Sequence, residues 1–441
     1  MTDTNRILQQ LGFSSLAPMQ AEMLDVALRF EGIVLLSPTG SGKTLAYMLP
    51  LARLLDCNSD NLQAIVIVPT RELAQQSADM LKSMKTGLRG ISLYGGRPAM
   101  KEHGILRDIR PHVVFATPGR LNDHLQKGNI SPNRVTLLVM DEFDKCLELG
   151  FRQEIKSIIS HFNGKIRCWL TSATDSDEIP QFMDSVTGRF QKLVFAQDYK
   201  STEERVEVWQ VPAPNKDKLD TLGRLLSVIE GKPAIVFVAH RESVERVGKW
   251  LLSKGFDVTM YHGGMEQDLR ERAVYKFRSG VANVLVSTDL AARGLDIPEV
   301  QAVIHYHLPG KDEEYVHRNG RTARWESYGK VYLLVGPEES LPDYIQAAKP
   351  LNVEEVNISP RLSNFRSLYI GRGKRDKLSK ADILGFLCKK GGLTAAEIGK
   401  INVAEHHSYV AVQRMKIKSL LRLIAGEKIK GMKTLIEETK R

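Results

Sequence analysis

The chain has 441 residues, of which 42% are hydrophobic and 26% charged, the balance of a folded globular protein long enough for two to four domains. No apolar run approaches the roughly 18 residues of a membrane span, and Met1-Thr2-Asp3-Thr4-Asn5-Arg6 lacks the apolar core of a secretory leader, so a cytoplasmic location without membrane attachment is expected. The net charge of +10 is concentrated at one end: residues 361–441 carry 19 Lys and Arg against 7 Asp and Glu, while the preceding 360 residues carry 43 against 45, a distribution that favours a polyanion such as nucleic acid as partner of the tail.

In chain order, Gly32-Ile33-Val34-Leu35-Leu36 reads as a buried strand, followed by Ser37-Pro38-Thr39-Gly40-Ser41-Gly42-Lys43-Thr44 and a helical apolar stretch over 45–55. Strand, glycine-bearing loop and helix in that order form a phosphate cradle. Gly40 and Gly42 let backbone amides approach phosphate oxygens, Lys43 supplies charge to the outer phosphates, and the Thr44 hydroxyl is placed to ligate magnesium. Short apolar runs at 65–68, 113–116, 137–140 and 167–170 then alternate with helix-period segments, which predicts a parallel sheet with crossover helices. Asp141-Glu142-Phe143-Asp144 closes one of these strands: Asp141 is placed to hold the magnesium shell, largely through water, and Glu142 to orient or deprotonate an attacking water. The polar stretch 197–204 is expected to link to a second set of strands at 234–238, 258–261, 284–287, 302–305 and 330–334. The four cysteines, Cys57, Cys146, Cys168 and Cys388, lack metal-ligand spacing and read as reduced structural thiols.

Ligands of such sheets bind beyond the carboxyl ends of the strands. Those positions carry Pro69-Thr70-Arg71, Thr117-Pro118-Gly119-Arg120 and Thr171-Ser172-Ala173-Thr174 in the first set. The second set offers His240-Arg241, His262-Gly263-Gly264 and Ser287-Thr288-Asp289, the last running on to Asp296. Hydroxyls, turns and arginines of this kind contact a sugar-phosphate backbone rather than base edges. Further on, His317-Arg318-Asn319-Gly320-Arg321-Thr322-Ala323-Arg324 places Arg321 and Arg324 three apart, expected on one face of a helical turn as arginine fingers for a phosphoryl transition state. In the basic tail, 365–370, helix 379–389, 398–403, 408–413, helix 416–425 and 431–437 give a β-α-β-β-α-β order, the RRM pattern. Tyr369 and Tyr409 would lie on its central strands, as base-stacking platforms or as core or edge residues, while Arg372, Lys374, Arg375 and Lys377 suit phosphate contacts.

Taken together these segments resemble the DEAD-box RNA helicases of superfamily 2 over residues 11–350, matching from Gly12-Phe13 and Gln20 through the loop at 37–44, Pro69 to Ala74, Gly95-Gly96, Thr117 to Arg120, the acidic box, Ser172 to Thr174, Gln267 with Arg270, the segment 287–296 and the segment 317–324. The resemblance implies two RecA-like domains that close on ATP and single-stranded RNA. By that analogy Gln20 reads adenine and Asp296 contacts the ribose. Asp144, Ser172 and Thr174 couple hydrolysis to strand separation, and His317, Arg321 and Arg324 join Lys43, Asp141 and Glu142 in catalysis. Pro69, Thr70, Arg71, Gly95, Gly96, Thr117, Gly119, Arg120, His240, Arg241, Gln267, Arg270 and Thr288 would touch RNA, with Arg372, Lys374 and Arg375 adding contacts from the tail. Four departures stand out: Ser37 where the family has Ala, Phe143 where it has Ala, Leu16 where Pro is usual, and no aromatic upstream of Gly12 to stack on adenine. The tail is similar to the carboxyl domain of the bacterial DbpA-like helicases, which implies anchoring to large-subunit ribosomal RNA and a part in ribosome assembly.

The expected architecture is α/β: RecA-like domains at 1–198 and 199–358, then a small α+β RRM-like domain at 361–441, acting as a monomer on structured RNA with ATP and Mg2+. Two alternatives stay open on sequence, an ATP-gated RNA clamp or chaperone that holds without unwinding, and a DNA translocase.

Overall fold

The computed structural model describes residues 4–38, 41–96, 99–195, 206–289, 300–322, 329–345 and 348–439. Thr39, Gly40, Asp296, Arg324 and the expected linker at 197–204 lie outside these. The chain divides into two compact units, the first ending at Ser201 and the second running to the carboxyl terminus.

The first unit is built on seven strands, β1 (Gly32–Leu36), β2 (Ala64–Ile67), β3 (Gly90–Leu93), β4 (Val113–Ala116), β5 (Leu137–Met140), β6 (Arg167–Ser172) and β7 (Phe190–Val194). All pairs are parallel, in the order β3-β4-β2-β5-β6-β1-β7. Central strands of a sheet covered on both faces must be apolar throughout, and β1, β2, β4 and β5 are buried at every residue. Side chains alternate between the two faces, so Ile33, Leu35, Val66 and Val139 join one core with helix Lys43–Leu54, while Val34, Leu36, Ile67 and Met140 join another with Phe143 and Ile155.

The second unit repeats the plan with β8 (Val206–Pro212), β9 (Ala234–Phe237), β10 (Val258–Tyr261), β11 (Val284–Ser287), β12 (Ala302–His305), β13 (Gly329–Val335) and β14 (Lys349–Pro350), in the order β10-β11-β9-β12-β13-β8-β14, again parallel. Read by position along the sheet, the two orders are the same permutation. Each is RecA-like.

The tail forms an antiparallel sheet from β15 (Phe365–Ile370), β16 (Ile398–Val403), β17 (Ser408–Gln413) and, after the small hairpin β18 (Lys428–Ile429) and β19 (Met432–Lys433), β20 (Ile436–Glu438). Its order, β16-β17-β15-β20, with helices Lys380–Lys389 and Ile417–Leu423 packed on one face through Ile383, Leu387, Ile417 and Leu420, is that of an RRM. The last strand differs from the expected 431–437: residues 428–433 turn back on themselves first, and pairing with β15 starts at Ile436. Helix Lys380–Lys389 starts where its chemistry dictates, with the Ser379 hydroxyl capping the Asp382 amide at 3.2 Å and the Asp382 carboxylate returning to the Ser379 amide at 2.9 Å.

Candidate nucleotide site and nucleic-acid interface

Sheet order sorts the first unit's strand ends into two groups. The phosphate loop follows β1, the acidic box follows β5 and Ser172 ends β6, and these three strands are neighbours. Pro69, Gly95 and Thr117 follow β2, β3 and β4, which fill the other side of the sheet.

In the first group the loop is drawn together by its own side chains. Gly42, at φ 92°, turns the chain into helix Lys43–Leu54 through the left-handed region that glycine enters without strain. Ser37, fully buried, donates or accepts with the Ser41 hydroxyl at 2.8 Å, and its amide bonds the Ser172 carbonyl at 3.0 Å. A hydroxyl in place of the family's methyl therefore stitches the loop across its turn. Lys43 is buried and donates to the carbonyls of Ser37 at 2.5 Å and Pro38 at 2.9 Å. Burial pulls its pKa down, against the opposing pull of Glu142, Asp141 and Asp144.

Asp141 is almost wholly buried, and burial raises its pKa despite bonds that favour the charged form. Those come from the Thr171 hydroxyl at 2.6 Å and the Tyr47 hydroxyl at 3.0 Å. Thr171 also accepts from the Glu142 amide at 3.2 Å, so one side chain on β6 fixes both carboxylate-bearing residues. Glu142 sits at φ 51°, ψ 55°, a left-handed conformation uncommon for a residue with a Cβ and held by its neighbours. Asp144 is reached by the Thr174 hydroxyl at a long 3.5 Å, while its Oδ1 is buried with no hydrogen-bond partner. The Ser172 hydroxyl turns to the Thr174 carbonyl at 2.6 Å, which closes the turn between these two residues. Phe143 points away from all of this, buried against Phe182 with ring centroids 4.9 Å apart.

Among the described residues no cluster of three or more His, Cys, Asp and Glu side chains is arranged to enclose a metal by itself. Asp141, the orphaned oxygen of Asp144 and the half-buried Thr44 beside Lys43 make instead a sparse oxygen donor set, the kind Mg2+ uses when waters and substrate phosphates complete its octahedron. Gln20, the residue expected to read adenine, is buried, with its Oε1 accepting from the Ala17 amide at 3.0 Å and its Nε2 donating toward the Gly42 carbonyl at 3.4 Å. It thereby ties helix Pro18–Arg29 to the phosphate loop. Tyr47 is a residue that sequence reasoning missed, and Thr171, named there among the strand-end hydroxyls, was not tied to a carboxylate. Neither lies in a spacing that announces a carboxylate partner 94 or 30 positions away.

In the second group Thr70 caps helix Arg71–Ser83, its hydroxyl accepting from the Leu73 amide at 3.2 Å, and Pro69 is buried behind it. Arg71 lies against the glycine pair: a Cβ at Gly96, where φ is 94°, would stand 2.5 Å from its guanidinium. Gly119 opens to solvent at the start of helix Pro118–Gln126, with Thr117 as its N-cap residue. Arg120 is held by the Tyr94 carbonyl at 3.3 Å and by the buried Glu102, 3.3 Å away, which also meets His124 at 3.0 Å. A cleft of about 650 Å³ near Leu54, His161 and Arg167 lies at the opposite, amino ends of these strands and shares no residue with either group.

The second unit shows the same division. His240 and Arg241 follow β9, Gln267 and Arg270 open the helix after β10, and Thr288 follows β11, three adjacent strands. Arg270 donates twice to the Tyr261 hydroxyl, at 3.1 and 2.7 Å, and Gln267 to Glu271 at 3.2 Å; Arg241 pairs with Glu242 at 2.7 Å and stays exposed. On β12's side, Arg318 is buried and grips both oxygens of Asp289 at 2.5 and 2.6 Å, with a further bond to the His307 carbonyl at 2.7 Å. Helix Asp312–Asn319 carries half-buried His317 but ends at Asn319. Arg321 therefore sits in the turn that follows and not on a helical face, because Gly320 closes the helix through its amide bonds back to Val316 and Arg318. Burial and the neighbouring Arg318 push His305 down to about 3, so its imidazole stays neutral while accepting from that guanidinium.

In the tail, Lys374 and Arg375 are exposed on a short turn, Lys374–Asp376, and Arg372 is half-exposed, bonded to Asp376 at 2.7 Å. Tyr409 is buried and stacked on Tyr275 of the second unit's parallel-sheet domain, with centroids 5.3 Å apart.

Residues 17–182 match the DEAD/DEAH box helicase family, 217–326 the helicase conserved C-terminal domain and 367–438 the DbpA RNA binding domain. The ATP-dependent RNA helicase DbpA of Escherichia coli is 35% identical over 96% of this chain and 94% of its own, and that of Bacillus subtilis 29% identical over 97% and 96%. Saccharomyces cerevisiae Dbp5 bound to RNA and ADP BeF3 superposes with a TM-score of 0.69 at 23% identity, over 79% of this chain and 94% of that one. Mss116p bound to ssRNA and AMP-PNP gives 0.67 at 24%, over 80% and 77%.

Proposed function

Since the chain belongs to the DEAD-box ATP-dependent RNA helicases of DbpA type, and so hydrolyses ATP in response to RNA, we propose that it opens short RNA duplexes locally, as a cytoplasmic monomer, and is delivered to structured RNA of the large ribosomal subunit by its basic tail. The observation that carries this is the placement of strand ends: in the first parallel sheet a phosphate loop and carboxylates lie on one side and arginines, glycine turns and hydroxyls on the other, and in the second His240, Arg241, Gln267, Arg270 and Thr288 gather after three adjacent strands. Its parts are the nucleotide half at 1–198, the arginine-bearing half at 199–358 and the RNA-selecting tail at 361–441.

Within the nucleotide half, residues 37–44 cradle the phosphates and Gln20 selects the base, its amide already oriented by Ala17 and Gly42. Thr44, Asp141 and Asp144 would hold Mg2+, which neutralises phosphate charge when bound. Glu142 orients the attacking water, its carboxylate kept in position by a backbone that Thr171 anchors. His317, Arg321 and Arg324 add positive charge against the transferring phosphoryl group, and Asp296 contacts the ribose. Ser172 and Thr174 link the hydrolysis site to the RNA-contacting turns. Sugar-phosphate contacts from Arg71, Gly96, Gly119, Arg120, Arg241, Gln267, Arg270 and Thr288 explain how a duplex is gripped without reading its sequence.

Strand displacement measured beside RNA-stimulated ATPase on one short tailed duplex tests the reading. Displacement in step with hydrolysis is expected; hydrolysis with no displacement would make the protein an ATP-gated clamp. Crosslinking in cells followed by sequencing of bound RNA checks the ribosomal target, with large-subunit rRNA sites expected to dominate.

A further inference from the structure

Arg120 stands in the first turn of helix Pro118–Gln126, next to Gly119, which opens to solvent. That is an unfavourable place for a cation, because the helix dipole is positive there. The side chain is nevertheless only 12% exposed and held in place: its Nε donates to the Tyr94 carbonyl at 3.3 Å and lies 3.3 Å from Oε2 of Glu102. Tyr94 immediately precedes the Gly95-Gly96 pair against which Arg71 lies, so these contacts tie the turn after β4 to the turn after β3.

Glu102 comes from helix Ala99–Ile109, which connects β3 to β4, and its side chain is 4% exposed. The same Oε2 meets His124, one turn beyond Arg120 on its helix, at 3.0 Å. The Asn129 amide donates to His124 Nδ1 at 3.3 Å, which leaves Nε2 as the donor to the carboxylate. Arg120 is thus the permanently charged partner of Glu102. Asp123, the other carboxylate near the guanidinium, is 3.8 Å away and already paired with Lys127 at 2.5 Å. Oε1 of Glu102 is buried with no hydrogen-bond partner. A carboxylate buried with one oxygen unsatisfied costs stability that an apolar side chain of similar size, packing the same two helices together, would not. What it holds, rather than what it packs against, accounts for its presence.

We propose that Glu102 is a positioning residue for RNA: it fixes the Arg120 guanidinium by its Nε edge before RNA arrives, so that a contact with the sugar-phosphate backbone is made without first ordering a long side chain. The inference rests on the reading that Arg120 touches RNA. Glu102 itself meets no phosphate and acts through Arg120 alone. A free arginine loses rotamer freedom when it binds, and one already ordered has less to lose. The sign of the effect separates this role from charge alone. A carboxylate that merely stood near a polyanion would repel it, so removing the charge would tighten RNA binding; removing a carboxylate that orders Arg120 loosens it.

The test is a double-mutant cycle in the full-length protein, read as ATPase rate against the concentration of a single-stranded oligouridine, with maximal rate, half-saturating RNA and half-saturating ATP separated. Glu102→Ala should raise the half-saturating RNA concentration about tenfold, the affinity equivalent of one charge-assisted hydrogen bond, with maximal rate and half-saturating ATP unchanged. Arg120→Ala should raise it at least as much, and Glu102→Ala added to Arg120→Ala should change nothing further. Half-saturating RNA that is unchanged or lower in Glu102→Ala would overturn the proposal, as would an effect that adds in full to that of Arg120→Ala. Parental RNA dependence in Arg120→Ala would instead sink the reading of Arg120 as an RNA contact, and the proposal with it. Should Glu102→Ala fail to fold, Glu102→Gln runs the same cycle: it has the same shape and keeps an acceptor for His124 but loses the charge, and its half-saturating RNA should again exceed the parent's, with no added effect beside Arg120→Ala.

Discussion

Phe143 occupies the one position of the acidic box that differs from the family's spelling, and restoring that spelling should harm the protein. The ring is 2% exposed, belongs to the core that includes Met140, Cys146, Ile155 and Ile179, and lies 4.9 Å from the Phe182 ring. Phe143→Ala removes a buried aromatic from packing that has grown around it, at a cost of about 3–5 kcal/mol, the usual range for Phe-to-Ala changes in a core. For a domain of this size each kcal/mol moves the melting temperature by roughly 2–4 °C, so the first domain should melt about 6–20 °C lower. The carboxylates are held from other directions: Asp141 by Thr171 and Tyr47, Glu142 through its amide to Thr171. RNA-stimulated ATPase, measured below the onset of unfolding, should accordingly stay within about threefold of the parent, since the catalytic contacts and the packing contacts share few atoms. Calorimetry and a coupled ATPase assay on the same preparation give both numbers. A melting transition that overlays the parent's together with a lost ATPase would refute the reasoning, because the ring would then touch the chemistry rather than fill the core.

Glu142→Gln should reduce hydrolysis by at least about a hundredfold, the size expected for losing a general base, while ATP-dependent RNA binding in a filter assay persists; a fully active variant removes Glu142 from the mechanism. Thr171→Val withdraws a hydrogen bond from a buried carboxylate, about 1.5–3 kcal/mol, so kcat should fall roughly 10- to 100-fold. Burial already raises the Asp141 pKa, and losing the Thr171 hydrogen bond raises it further, moving the acidic limb of the ATPase pH profile upward. Because the folded carboxyl then binds its proton more tightly than the unfolded one, the stability deficit of this variant is absent below the unfolded pKa of about 3.9 and grows as pH rises through the folded value, which denaturant titrations across pH would show. Lys374→Ala with Arg375→Ala should weaken binding to structured RNA uniformly across sequences and lower the slope of log affinity against log salt by roughly 1.4–1.8, two charges' worth; an unchanged slope would free these side chains of any phosphate contact.

What could be read from sequence follows burial. β4, β5, β10, β11 and β12 fall where their apolar runs place them, because strands covered on both faces are built mostly of apolar residues. β3, β7 and β8 were missed: they are half-exposed, mix Gly, Gln, Lys and Glu with apolar residues, and offer no run to find. In the tail β15, β16 and β17 match to the residue. The motif residues of the site were legible because their chemistry is local, a loop or a box at a strand end. Tyr47, Thr171 and Glu102 were not, because each acts through a partner that only the sheet order brings near. Arg321 shows the same limit in reverse: spacing alone suggested a helical face, and a glycine at 320 ended the helix first.

The position of β1 has a consequence for how the molecule is made. This strand carries the phosphate loop, yet both its sheet partners, β6 and β7, leave the ribosome about 130 to 160 residues after it. At translation speeds of roughly 5–20 residues per second, Ile33, Val34, Leu35 and Leu36 wait on the order of ten to thirty seconds as an unpaired apolar segment. The element on which hydrolysis depends is thus among the last to be framed, and nascent chains halted between Met140 and Arg167 should remain chaperone-bound, unable to retain nucleotide, until synthesis passes Val194.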